Sequence, residues 1–139
     1  MRCLILALLL ALPLSAQEPK AVTLPWASVP KLGDKDAESK NAKLRKAYGG
    51  KLVVVDGMVE NVRDESDGRV TASIVSKRKG ANNIVWPVTI YGDFTGRTSK
   101  ELRDAIVRAK ACRVTGTLRK DAGKGEPIWL DDAKLVGVK

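Results

Sequence analysis

Val70, Ala72 and Ile74 alternate with Arg69, Thr71 and Ser73 along the chain. A two-residue period marks a strand with one buried face, and it predicts a strand over residues 69–76. Four further segments read as strands. Residues 51–62 carry Leu52, Val53, Val54, Val55, Val59 and Val62 around Gly57. Their β-branched density predicts one long strand, and the central glycine predicts a bulge or sharp bend that lets it serve two sheet faces. Residues 84–91 turn Ile84, Trp86, Val88 and Ile90 inward and Val85, Thr89 and Tyr91 outward. Pro87 has no N–H to give to a ladder, so this strand or its bulge is expected at an edge. Residues 112–118 put Cys112, Val114, Gly116 and Leu118 on one face, and residues 128–136 form a last strand interrupted at Asp131-Asp132.

Two segments have the helical period instead. Residues 36–48 are made of good helix formers, with Asp36 placed as N-cap, bases late, and Gly49-Gly50 as the stop. Leu44, Ala47 and Tyr48 give that helix a narrow apolar stripe, enough to dock on a domain. Residues 98–110 open with Thr98-Ser99-Lys100-Glu101, a capping box, and bury Leu102, Ala105, Ile106 and Ala109. Polar turns are expected at 63–68 and 121–125, and a basic loop at 77–83. Pro19, Pro25 and Pro30 predict an extended lead-in over 17–35 without regular structure, with Trp26 pinned on the domain surface.

The order is therefore β-β-β-α-β-β with a helix ahead. Five short strands gain most by closing, since closure removes exposed edges. The expected fold is mainly β: a five-stranded OB-fold Greek-key barrel over residues 36–139, with a helix between strands three and four and an additional N-terminal helix. An SH3-like barrel lacks a helix of that length there, and a small α+β sandwich is the alternative.

Residues 1–16 stand apart. Arg2, the apolar run Leu4–Leu12 and the small-residue end Pro13-Leu14-Ser15-Ala16 have the plan of a signal peptide. They predict cleavage before Gln17 and a periplasmic or secreted protein, with no membrane span in the mature form. The remaining chain then has Cys112 as its one thiol, and no disulfide partner. It keeps 24 of the 25 basic residues and all 16 acids, a net +8 (24 − 16). Most of that excess lies in residues 76–139, which hold 14 basic and 7 acidic groups, a net +7 (14 − 7). Such a field favours anionic partners.

Composition excludes more chemistry than it suggests. With no histidine, Ser-His and Cys-His pairs and the commonest general base are missing. No acid pair stands at a readable spacing, and Asp121, Glu126, Asp131 and Asp132 have no calcium-loop order. No enzyme activity, metal or cofactor is expected. OB-folds bind across strands two and three, between the first and last hairpin loops. The candidate ligand-binding residues there are Arg69, Thr71, Lys77, Arg78, Lys79, Tyr91, Arg119, Lys120 and Lys124. Trp86 reads as core and Cys112 as an inert core thiol, while Trp129, pointing opposite to Ile128 and Leu130, reads first as cover over the barrel end against the N-terminal helix and otherwise as an exposed stacking residue. The first functional expectation is a basic face for an anionic ligand, an oligosaccharide or an envelope protein partner. The alternative is a single-stranded nucleic-acid-binding protein. With Tyr91 as the sole outward aromatic on that face, its grip would be ionic and salt-sensitive.

Ala47-Tyr48-Gly49-Gly50-Lys51, followed by Val55-Asp56-Gly57-Met58-Val59, resembles the opening of the exported bacterial tRNA-anti-like OB-fold domains. Val114-Thr115-Gly116-Thr117-Leu118 and Leu130-Asp131-Asp132-Ala133 resemble the closing hairpin of that family. The resemblance spans about residues 38–137 and implies an OB barrel with a groove for nucleic acid or another ligand. It implies no catalytic residues.

Overall fold

The computed structural model describes residues 19–31, 33–79, 85–94, 99–107 and 111–138. The expected signal peptide, the Thr98 cap and the basic residues' loop beyond Lys79 lie outside them. So do the side chains of Lys77, Arg78, Lys79 and Trp86. No described helix is long and apolar enough to cross a membrane.

The long early strand governs the architecture. β1 (Val22–Thr23) precedes helix α1 (Ala37–Tyr48), which is followed by β2 (Leu52–Asp64), β3 (Val70–Lys79) and β4 (Val85–Phe94). Helix α2 (Ser99–Val107) then leads to β5 (Cys112–Leu118) and β6 (Trp129–Val138). The first half of β2, Leu52–Gly57, pairs antiparallel with β5, and the second half, from Met58, pairs antiparallel with β3. β4 continues from β3, β6 runs parallel to β4, and β5 returns to β2. The barrel is therefore closed in the order β2-β3-β4-β6-β5 and has OB-fold architecture, with α2 between its third and fourth strands. Leu102 of α2 is fully buried with Val53, Val55, Ile74, Val88, Ile90, Phe94, Val114, Leu118 and Leu130.

Gly57 sits where β2 changes partners, opposite Cys112, but it does not bulge. A Cβ there would come to 2.8 Å from Ile74 Cγ2 and 3.0 Å from both the Val75 carbonyl and the Trp26 ring. Its role is close approach. The bulge lies further on, between Glu60 and Arg63, at Asn61 with φ +50°. β6 likewise is bulged rather than interrupted at Asp131-Asp132, where Asp132 has φ +50°.

The lead-in has more structure than its prolines predict. β1 pairs parallel with Val53 and Val54 on the edge of β2 opposite β5. Trp26 opens a short 3-10 turn, Trp26–Ser28. Its indole N–H donates to the Asp56 carbonyl at 2.6 Å, so it is pinned as expected, over Gly57. Leu24 and Val29 enter the core. Prolines 25 and 30 flank these pieces without interrupting them.

In α1 the buried residues are Asn41 and Leu44, while Ala47 is exposed and Tyr48 half-buried. Asn41 replaces Ala47 in the expected stripe because the helix docks on the loop between β5 and β6, a polar surface. Asn41 Nδ2 and the Arg45 guanidinium both donate to the Glu126 carbonyl, and Arg45 also reaches Pro127. Asp36 stands at the N-cap position but does not cap. Its carboxylate pairs with Lys40 at 3.0 Å instead. Cys112 is 1% exposed, and burial pushes its thiol up. A thiol reagent at pH 8 is expected to leave Cys112 unmodified in the native protein and to modify it fully in denaturant. Reaction of the native protein at the speed of a free thiol would show that the β5 end is open.

Candidate functional site

The outer face of β3 and β4 is organised by register. Thr71 stands opposite Asp93 and Ser73 opposite Tyr91. The parallel pairing of β6 sets Trp129 beside Tyr91, and the backbone N–H of Arg119 donates to the Trp129 carbonyl. Tyr91 of β4, Trp129 of β6 and Arg119, one residue past the end of β5, thus form one layer. The Tyr91 and Trp129 rings stack with centroids 5.1 Å apart and planes 27° apart. The Arg119 guanidinium lies 5.0 Å from the centre of the same indole. Such aromatic and cation–π contacts each stabilise by about 0.5–1.5 kcal/mol beyond burial. Trp129 is therefore not a cover against α1. It faces outward over the sheet, because Ile128 and Leu130 on either side of it point into the core.

Beside this layer is a cleft of about 240 Å³, lined by Asn61, Arg63, Glu65, Thr71, Ala72, Ser73, Tyr91 and Trp129. The bulge in β2 builds one rim, since an extra residue re-aims the side chains around it. The turn after β2 supplies Glu65, and β3 supplies the floor. Thr71 and Ser73 lie on the expected face yet are buried, at 8% and 4% exposure. Their hydroxyls serve the cleft's own network: Thr71 donates to Glu65 Oε1 at 2.8 Å and Ser73 to the Glu60 carbonyl at 3.2 Å. Asn61 Nδ2 donates to Ser73 Oγ at 3.3 Å. A second depression of about 260 Å³ lies across Tyr91, between the lead-in, the start of α1 and the β5–β6 loop. Asn41 lines it, with a buried Oδ1 that has no hydrogen-bond partner among the described residues.

The charges on this face are largely neutralised. Arg69 pairs with Asp67 at 2.7 Å and Asp93 at 2.9 Å. The Arg69 guanidinium holds the Asp67 carboxyl below the usual carboxylate range. The stabilisation this pair gives is therefore present at neutral pH and lost as pH falls through the lowered value. Arg119 Nε donates to Asp131 Oδ1 at 2.9 Å, and that carboxylate raises the guanidinium's proton affinity further. Arg63 is exposed and has no ion-pair partner among the described residues.

Of the nine expected ligand-binding residues, Arg69, Thr71, Tyr91 and Arg119 come together here. Lys120 and Lys124 turn toward α1: Lys120 runs against Gly49, and Lys124 stands 3.8 Å from Glu38. Lys77, Arg78 and Lys79 are not in a loop. They extend β3, in register with Pro87, Trp86 and Val85. Lys77 is four residues beyond Ser73 on the strand, about 13 Å from the stack at the usual rise. β4 is not an edge strand, since β3 and β6 flank it, but Pro87 lies before its pairing with β6 begins at Tyr91, so the missing N–H breaks no ladder there.

No family model matches the chain, and no curated protein matches it. Among solved structures, the chain is similar to a small single-stranded DNA binding protein from Mycoplasma pneumoniae. The identity is 15%, with 63% of this chain and 90% of that one covered and a TM-score of 0.44. It is also similar to a small single-stranded DNA-binding protein from Streptomyces coelicolor, at 15% identity, 66% and 92% coverage, and a TM-score of 0.29. The fold assignment rests on this chain's own strand order.

Asn61, Arg63, Glu65 and the outward face of Trp129 were not among the expected site residues. Their signal is a slip in the strand period. Val53, Val55, Gly57 and Val59 alternate, and the next apolar residue is Val62. The same slip separates Leu130 from Ala133.

Proposed function

We propose that this protein binds single-stranded nucleic acid across β3, β4 and β6, with the Tyr91–Trp129–Arg119 layer as its platform. The layer is the observation that carries the reading. A stacked base is worth about 1–3 kcal/mol, and stacking tolerates any sequence because every base has a π-face. The other expectation, a basic face for anionic ligands, has less support. Arg69 and Arg119 are occupied by Asp67, Asp93 and Asp131, so the net charge overstates the free cations near the groove. Membership of the exported tRNA-anti-like family, and export itself, are proposed on the sequence motifs alone.

The two readings differ in salt dependence. A strand of four nucleotides on the platform meets few unpaired cations, Arg63 foremost. The slope of log K against log salt is then expected near −1 to −2, at about −0.7 per neutralised phosphate. Binding should quench tryptophan fluorescence, and a Trp129→Phe variant should lose most of that quench. A slope near −4 or steeper without quenching would favour the anionic-surface reading. Absence of binding by any single strand in low salt would reject this one.

A further inference from the structure

We infer that the cleft beside Tyr91 selects guanine, a proposal that rests on the single-strand reading above. The cleft offers more acceptors than donors along its floor and β2 rim. On the floor and the β2 rim, the hydroxyl protons are already committed: Thr71 gives its own to Glu65, and Ser73 gives its own to the Glu60 carbonyl. One amide hydrogen of Asn61 goes to Ser73. What remains is mostly acceptor capacity: the second carboxylate oxygen of Glu65, the Asn61 carbonyl oxygen and lone pairs on Thr71 and Ser73. Beyond the second Asn61 amide hydrogen, the donor on this rim is Arg63.

The floor and the β2 rim want a ligand edge rich in donors, while Tyr91 and Trp129, which also line the cleft, add an O–H and an N–H for a ligand acceptor. Among the bases, guanine presents N1–H and the N2 amino group together, and a carboxylate accepts both. Its O6 is an acceptor for a guanidinium. Adenine and cytosine bring an amino group beside an unprotonated ring nitrogen, which would face a carboxylate lone pair. Thymine and uracil bring one N–H between two carbonyls. The size agrees: a cleft of about 240 Å³ lies below the roughly 300–1,000 Å³ of drug-sized sites, and suits one base lying against Tyr91. Asn61, held at φ +50° in the bulge, is the residue whose amide enters this cleft.

The test uses the protein with nine-nucleotide thymidine strands carrying one central substitution, followed by fluorescence. Central guanine is expected to bind at least tenfold more tightly than adenine, cytosine or thymine. Central hypoxanthine, which keeps N1–H and lacks the amino group, should lose most of the advantage. Glu65→Gln should bring guanine and thymine within twofold of each other. Asn61→Gly, which keeps the positive φ and removes the amide, should weaken the preference in the same direction. Equal binding of all four bases overturns the guanine assignment and leaves the single-strand reading standing. Binding of no strand overturns that reading too. Binding of neutral chitotriose, whose hydroxyls are also donors, with amide shifts confined to the cleft and no guanine preference, assigns the cleft to sugar and overturns the proposal.

Discussion

Replacing Tyr91 or Trp129 with alanine is expected to weaken single-strand binding by about tenfold or more, with the barrel still folded. Each ring offers a base about 1–3 kcal/mol of stacking, and about 1.4 kcal/mol is tenfold in affinity. The rings are half-buried on the outer face, while the core beneath is filled by Val88, Ile90 and Leu130. The barrel therefore keeps its packing when either ring is cut away. The two losses should not add. The rings support each other at 5.1 Å, so removing one also frees the other to move. A double-mutant cycle should show a coupling of about 0.5–1.5 kcal/mol. Trp129→Ala should be the more damaging to stability, because Arg119 loses its aromatic neighbour as well. Full retention of oligonucleotide affinity by Tyr91→Ala, measured by anisotropy, would sink the platform reading.

Gly57→Val should destabilise the fold by roughly 3 kcal/mol, and Gly57→Ala by roughly half that, within the range seen for overpacking. The obstacle is spatial rather than conformational. A Cβ at this position meets the Val75 carbonyl and Trp26 at 3.0 Å and Ile74 at 2.8 Å. The carbonyl belongs to the β2–β3 ladder and cannot retreat without opening it. Loss at this point strikes closure itself, because β2 leaves β5 and takes up β3 here. For a domain of this size the valine variant should lower Tm by about 10 °C. Gly137, also in a strand, has nothing within 4 Å of its would-be Cβ, so Gly137→Ala is the matched control and should be near neutral. Equal Tm values for Gly57→Val and Gly137→Ala would show that β2 can yield at the crossover.

Both predictions bear on the same surface. The crossover at Gly57 sets where β3 begins to pair, and the bulge at Asn61 then shifts the register between Glu60 and Arg63. That shift carries Arg63 and Glu65 to the cleft rim. Without it, the alternation running from Val53 to Val59 would have continued, and Val62 would have faced solvent.

The strand order and the barrel were legible because periodicity is a local property. Alternation in residues 69–76 and 112–118, and the single helix between the third and fourth barrel strands, needed no knowledge of partners. Even the two bulges leave a trace, as the spacing of Val59 to Val62 and Leu130 to Ala133. The direction of Trp129 was legible as well, opposite to Ile128 and Leu130, but its partner was not. Its stack on Tyr91 exists because β6 runs parallel to β4 in a register that closure of the barrel imposes. The pairing of Arg69 with Asp93 and of Arg119 with Asp131 likewise joins residues on different strands or across a hairpin. A linear count of charge saw a basic half. The folded chain brings acids beside those bases, because attraction between charges depends on distance in space and not on separation along the chain.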